Sequence, residues 1–316
     1  MKTTRIIGVL MAYLSLTCFC IGQDEVKSET YNLMNDSIQI PGTLSYRSNL
    51  KEQPLVIFVH GSGSIDRNGN QQGANINANY IKQLAEALNK NGIAFYRYDK
   101  RTSTSANMKF LLNGISLEDF VDDVKVAISN FEDDPRFSSI TLIGHSQGSL
   151  VAMLALNDAV EKYISIAGPS KSIDKTIIEQ IRTQNGDSIA NIFVAHFKEL
   201  KSNGSIAKVD PIAFSLLNPM NQSFFKSWML YEPTEVIAAL NTPALIINGT
   251  KDLQVSVEEA NDLHRAYPNS KLIIIDQMNH VLKTISQEED NLKSYYNEEF
   301  PLSENLVTAI TEFIKK

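Results

Sequence analysis

The sequence predicts an α/β fold: a doubly wound, mostly parallel sheet with an antiparallel hairpin at its N-terminal edge and a helical cap insertion. Short β-branched and apolar runs near 55–59, 93–98, 139–143, 163–167, 244–248 and 271–275 alternate with helical stretches near 77–90, 117–131, 147–157, 256–267 and 302–314. Strands separated by helices pair in parallel, because each crossover returns the chain to the same end of the sheet. Between Gly168 and Asn241 that rhythm breaks, and a connection that ordinarily takes about 2–6 residues is far longer. The 316 residues are 43% hydrophobic, enough to bury one large core.

At the N-terminus, Lys2 and Arg5 precede an almost wholly apolar run from Ile6 to Ile21, and Gly22 follows. This pattern predicts a cleaved signal peptide over residues 1–22, a mature domain over 23–316, a periplasmic or secreted location and no stable membrane insertion after cleavage. The alternative is a lipoprotein anchored through Cys18 or Cys20, although Ser15-Leu16-Thr17 lacks the small residues expected before a lipidated cysteine. Cleavage removes both cysteines, which excludes a disulfide or a thiolate metal site. It also leaves 27 basic against 36 acidic residues, a net charge of -9 with no basic run, so nucleic acid is not an expected partner.

Residues 31–46 alternate loosely around Pro41-Gly42 and predict the edge hairpin. The strand Leu55 to Val59 leads into His60-Gly61-Ser62-Gly63. A phosphate cradle would continue Gly-Lys-Ser/Thr, but Ser64-Ile65-Asp66-Arg67 follows. The backbone N–H groups of Ser62 and Gly63 are therefore candidate oxyanion donors. After the next strand comes Asp99-Lys100-Arg101-Thr102, and Asp66, Arg67, Asp99 and Arg101 are expected to form an ion-pair network bracing the oxyanion loop.

The strand over 139–143 runs into Gly144-His145-Ser146-Gln147-Gly148 and then into an apolar helix. A strand, a sharp turn carrying Ser between glycines and a helix form a nucleophile elbow. Ser146 is the candidate nucleophile, and the N–H of Gln147, at the helix start, is a second oxyanion donor. A serine hydroxyl needs a base. His280 lies just beyond the strand over 271–275, at the sheet edge where catalytic groups gather. His60 and His145 read as packing or loop-fixing residues, and His196 and His264 as surface residues. Asp252 follows the strand over 244–248 and is the expected partner of His280, with Asp276 as its competitor. In the insertion, Trp228 and Tyr231 are expected to line the acyl or alcohol pocket.

The segments HGSGSIDRNGN at 60–70, YDKRTSTS at 98–105, LIGHSQGS at 142–149, IAGPSKSID at 166–174, INGTKDLQV at 247–255 and MNHVLK at 278–283 resemble serine hydrolases of the α/β-hydrolase superfamily. Within it they resemble the bacterial branch of dienelactone hydrolase-like and serine aminopeptidase-like esterases, over about residues 28 to 316, with Thr102 standing where relatives tend to carry glycine. The resemblance implies an esterase acting on a small-molecule ester or short peptide. An aminopeptidase on the same triad would need a carboxylate such as Glu179 or Glu199 to hold a free amine. A non-catalytic binder on the same fold is a third reading. No cofactor is called for, and no His/Asp cluster has metal-ligand spacing.

Overall fold

Eight strands form the main sheet in a computed structural model that describes residues 26–316; the proposed signal segment, with Cys18 and Cys20, lies outside them. In chain order they are β1 (Val26–Thr30), β2 (Gly42–Arg47), β3 (Gln53–Val59), β4 (Ala94–Tyr98), β5 (Phe137–His145), β6 (Val160–Ile166), β7 (Ala244–Gly249) and β8 (Lys271–Ile275). Their order across the sheet is β1-β2-β4-β3-β5-β6-β7-β8. The pairs β1·β2 and β2·β4 are antiparallel, and the rest of the ladder from β4 to β8 is parallel. The edge is thus antiparallel, but not a simple hairpin: Leu33–Asn35 and Ile38–Ile40 form a separate small ladder between β1 and β2.

Successive side chains of a strand leave opposite faces, so a strand covered on both sides must be apolar throughout. In β3, Leu55, Ile57 and Val59 enter one core layer while Val56 and Phe58 enter the other. The second layer is closed by α1 (Tyr80–Lys90), with Ile81, Leu84 and Leu88, and by the C-terminal helix Glu304–Lys315, with Leu306 and Ile310. The first is closed by α2 (Leu117–Phe131) and α3 (Gln147–Ala155). Ser116 starts α2 with a capping box, its hydroxyl accepting from Asp119 N–H while the Asp119 carboxylate accepts from Ser116 N–H.

The long connection after β6 folds as α4 (Ile173–Asn185), α5 (Asp187–Asn203), α6 (Pro219–Trp228) and α7 (Pro233–Ala238). Gly186, at φ 82°, separates α4 from α5, and Asn218 with Pro219 starts α6. This unit docks on α2: the Phe224 ring meets Phe120 edge-on at 5.7 Å, and Ser227 Oγ accepts from Leu117 N–H at 2.8 Å. From β3 the chain turns through α1 to β4 on one side, whereas β5 lies on the other. The loops after β3 and β5 therefore flank a crevice at the C-terminal edge, where such sheets bind ligands.

The expected four-residue ion-pair network divides into independent contacts. Arg67 forms a bidentate pair with Asp99, at 2.9 and 2.6 Å, and Asp66 instead accepts from the backbone N–H groups of Asn68 and Asn70. Arg101 turns away to α2, meeting both carboxylate oxygens of Asp123 at 2.7 Å and Asp119 at 2.6 Å. Strand alternation would keep Asp99 and Arg101, two residues apart, on one side; the turn that follows β4, closed by Ser103 N–H donating to Lys100 O at 2.8 Å, breaks that alternation and carries Arg101 to α2. The Arg101 and Asp123 side chains are 5% and 2% exposed. Arg101→Met is expected to lower the unfolding free energy by about 3–5 kcal/mol, because it strands a buried carboxylate. Arg101→Met with Asp123→Leu should recover much of that loss in urea denaturation. A single variant within about 1 kcal/mol of wild type would contradict the assignment.

Candidate active site

Ser146 occupies the turn between β5 and α3 with φ 54° and ψ -125°, a region L-residues avoid. The surroundings impose it. Ser146 N–H donates to Ile166 O of β6 at 2.9 Å, and Ser146 O accepts from Ser149 N–H at 2.9 Å. A Cβ on Gly148 would lie 2.2 Å from Val59 O, and one on Gly144 would lie 2.3 Å from Gly148 O. Both flanking glycines are thus required by backbone contact, Gly144 against the first turn of α3 and Gly148 against the end of β3.

Asp252 sits in the turn after β7. Its Oδ1 accepts from Gln254 N–H at 2.8 Å and Val255 N–H at 2.9 Å, and its Oδ2 accepts from His280 Nδ1 at 2.8 Å. Donation from Nδ1 leaves Nε2 of His280 as the acceptor. The competing Asp276 instead accepts from Thr250 Oγ1. Two residues hold the His280 turn. Asn279, 1% exposed, accepts from Lys283 N–H and donates to Asn291 and Ser294. His145 Nε2 bonds His280 O at 2.8 Å, and the two rings lie 4.7 Å apart. His145 is therefore a loop-fixing residue. His60 is buried against the edge of Tyr98.

The loop after β3 packs directly on the elbow: a Cβ at Gly61 would be 3.2 Å from Ser146 Cβ. Gly63 takes φ 95°. Gln147 opens α3, so its N–H has no intrahelical partner. The proposed donors Ser62, Gly63 and Gln147 thus lie on the two segments nearest Ser146. Lys100 bridges those segments, with Nζ donating to Gly61 O at 2.7 Å and Gln147 Oε1 at 2.8 Å. Burial draws its ammonium down to about 7. Neither Lys100 nor Asn279 stood out in the sequence, because a charge in Asp-Lys-Arg reads as solvated and a loop asparagine reads as a turn former.

Two cavities meet at Ser146. One, ≈ 160 Å³, is bordered by His280, Tyr80, Gln71 and Tyr295. The other, ≈ 210 Å³, runs under the insertion and is bordered by Gln147, Ile173, Ile177, Leu216, Phe225 and Trp228. Ser62, Ser146 and Gln254 border both. Trp228 therefore faces the site, whereas Tyr231 borders neither cavity and donates its hydroxyl to Glu118 at 2.8 Å. Its position just beyond α6 sets that direction. His196, expected on the surface, is buried within the insertion, with Nε2 accepting from Asp210 N–H. His264 bonds Ser270 Oγ. Glu179 pairs with Lys171, and Glu199 accepts from Ala207 N–H. Among the described residues, no group of His, Cys, Asp and Glu is arranged to hold a metal ion, and no helix is long and apolar enough to cross a membrane.

A family model described as BD-FAE matches residues 44–267. Among solved structures the chain is similar to Est1E from Butyrivibrio proteoclasticus, at 19% identity and TM-score 0.58, covering 91% of this chain and 99% of that one. It is similar to the Pyrococcus furiosus esterase Pf2001, at 18% identity and TM-score 0.55, covering 92% of each. It also aligns with the Pyrococcus horikoshii acylaminoacyl peptidase, at 12% identity and TM-score 0.58, over 92% of this chain but 41% of that one. No curated protein matches the sequence.

Burial holds His145 and His60 at about 3, with His280 adding to the effect on the first and Lys100 on the second. Their ordinary value is near 6.5, so below that pH the unfolded chain binds protons that the native protein does not. Stability is complete above about pH 6.5 and falls as pH drops towards 3. From pH 6.5 to 5 each histidine should contribute a slope approaching about 1.4 kcal/mol per pH unit. His145→Phe should remove one such contribution from urea-denaturation free energies; an unchanged slope would contradict the buried neutral imidazole.

Proposed function

The chain belongs to the BD-FAE family and carries the α/β-hydrolase fold, and from that premise we propose that it hydrolyses carboxylic esters through an acyl-enzyme on Ser146. The observation that carries this reading is the Asp252–His280 hydrogen bond at 2.8 Å, with His280 and Ser146 bordering one cavity. Ser146 Oγ attacks the ester carbon while His280 Nε2 takes its proton. Asp252 holds the tautomer and balances the imidazolium. The tetrahedral oxyanion accepts from Gln147 N–H and from Ser62 or Gly63 N–H. Collapse breaks the C–O bond, and His280 returns the proton to the departing alcohol oxygen. Water, deprotonated by His280, then releases the acid and restores Ser146.

The proton path assigns the cavities. The leaving oxygen must meet His280, so the alcohol half occupies the cavity bordered by Tyr80, Gln71 and Tyr295. The acyl half occupies the apolar cavity under α4 and α6, which serve as a cap. Est1E from Butyrivibrio proteoclasticus has been determined with ferulic acid bound, and an aromatic acid of that kind suits walls made by Phe225 and Trp228. Neither cavity has an acidic wall, which favours esters over peptides with a free amine. The apolar leader over residues 1–22 supports action in the periplasm or outside the cell.

Steady-state rates on p-nitrophenyl and methyl esters of rising acyl size, beside aminoacyl p-nitroanilides, test the proposal. Wild type should prefer esters, and Ser146→Ala should lose about 10⁴-fold or more in kcat. Trp228→Ala should lower kcat/KM for aryl-acyl esters by about 10–100-fold while sparing acetyl esters. Hydrolysis that survives in Ser146→Ala would reject the mechanism.

A further inference from the structure

We infer that Lys100 is a positioning residue of the oxyanion hole, tying the loop after β3 to the start of α3 and so setting the distance between the donors those segments contribute. The inference rests on the reading of Ser146 as nucleophile and assigns to that site a residue with no place in the triad.

The geometry is specific. Nζ reaches Gly61 O at 2.7 Å and Gln147 Oε1 at 2.8 Å, and it stands 4.4 Å from the centre of the Phe120 ring. Gly61 precedes the proposed donors Ser62 and Gly63, and Gln147 carries the proposed donor on the other side. One ammonium therefore bonds both halves of the hole. The two neighbouring carboxylates are engaged elsewhere: Asp99 pairs with Arg67 and Asp123 with Arg101. Among the described residues no carboxylate lies within ion-pair distance of Nζ, so neutral oxygens and an aromatic face are its partners.

A buried cation without a counter-ion costs several kcal/mol, and a fold that needed only a link between two oxygens would be more stable with a neutral amide there. The arrangement fits a site where negative charge develops. Two donors must meet one oxygen within a narrow range of distance, and a displacement of about 1 Å costs on the order of 100-fold in rate. Within each segment, the glycines that let the loop approach Ser146 also leave it little to hold it still; Lys100 supplies the cross-link.

Lys100→Met, close in size and without donors, tests this. Its kcat should fall about 10–100-fold with KM within about threefold of wild type. A trifluoromethyl ketone analogue, which forms an oxyanion on the serine, should bind at least about tenfold more weakly, while the product acid binds as before. Equal losses for both inhibitors, or an unchanged kcat, would overturn the inference. If Lys100→Met does not fold, Gln147→Leu removes one of the two tethers and keeps the helix backbone; it should lower kcat and ketone affinity together by about threefold or more, and no change would overturn the inference. Loss of activity in Ser146→Ala alongside an unaffected Lys100→Met would reject this role alone, whereas activity retained in Ser146→Ala would reject the reading beneath it.

Discussion

The strained backbone at Ser146 is the constraint on which the rest depends. A positive φ at a non-glycine residue costs about 1–3 kcal/mol and persists only where its neighbours leave no alternative. Here the neighbours are backbone: Ile166 O holds the Ser146 N–H, and Gly148 lies directly against Val59 and His60. Three adjacent strands, β3, β5 and β6, therefore end against one turn. Their apolar runs, buried on both faces, give the sheet the rigidity to keep it there.

Around that turn, polar groups are distributed so that each loop has its own anchor. Asp252 spends one oxygen on its own turn and the other on His280, so a single carboxylate fixes both the turn and the ring. His145, inside the elbow, holds the His280 carbonyl and thereby links the Ser146 turn to the His280 turn. The run Asp99-Lys100-Arg101 divides three ways, to Arg67, to the site and to α2.

Much of this was legible in the sequence because the signals are local. Apolar runs of strand length, glycines two residues either side of Ser146, and the motif ends at Asp252 and His280 each reflect a requirement of a few neighbouring residues. What was hidden depends on packing between distant segments. The edge appeared as one hairpin because loose alternation over 31–46 does not reveal that Pro41 ends a small ladder and β2 pairs with β1 instead. Arg101 read as a member of an ion-pair network at the oxyanion loop and Lys100 drew no reading of its own; only contacts with α2 and with the elbow, further along the chain, show why both are buried. Trp228 and Tyr231 belonged to one aromatic cluster, yet three positions past α6's last residue suffice to send Tyr231 to Glu118.

The central claim is that Ser146 is the reacting group, activated by His280 and Asp252 within a two-sided oxyanion hole. Intact-mass and peptide-mapping spectrometry after treatment with a fluorophosphonate tests it most directly. The account predicts one adduct per chain, on the peptide containing Ser146, with labelling slowed at least about 100-fold in His280→Ala. No adduct, or an adduct on another residue, would contradict it.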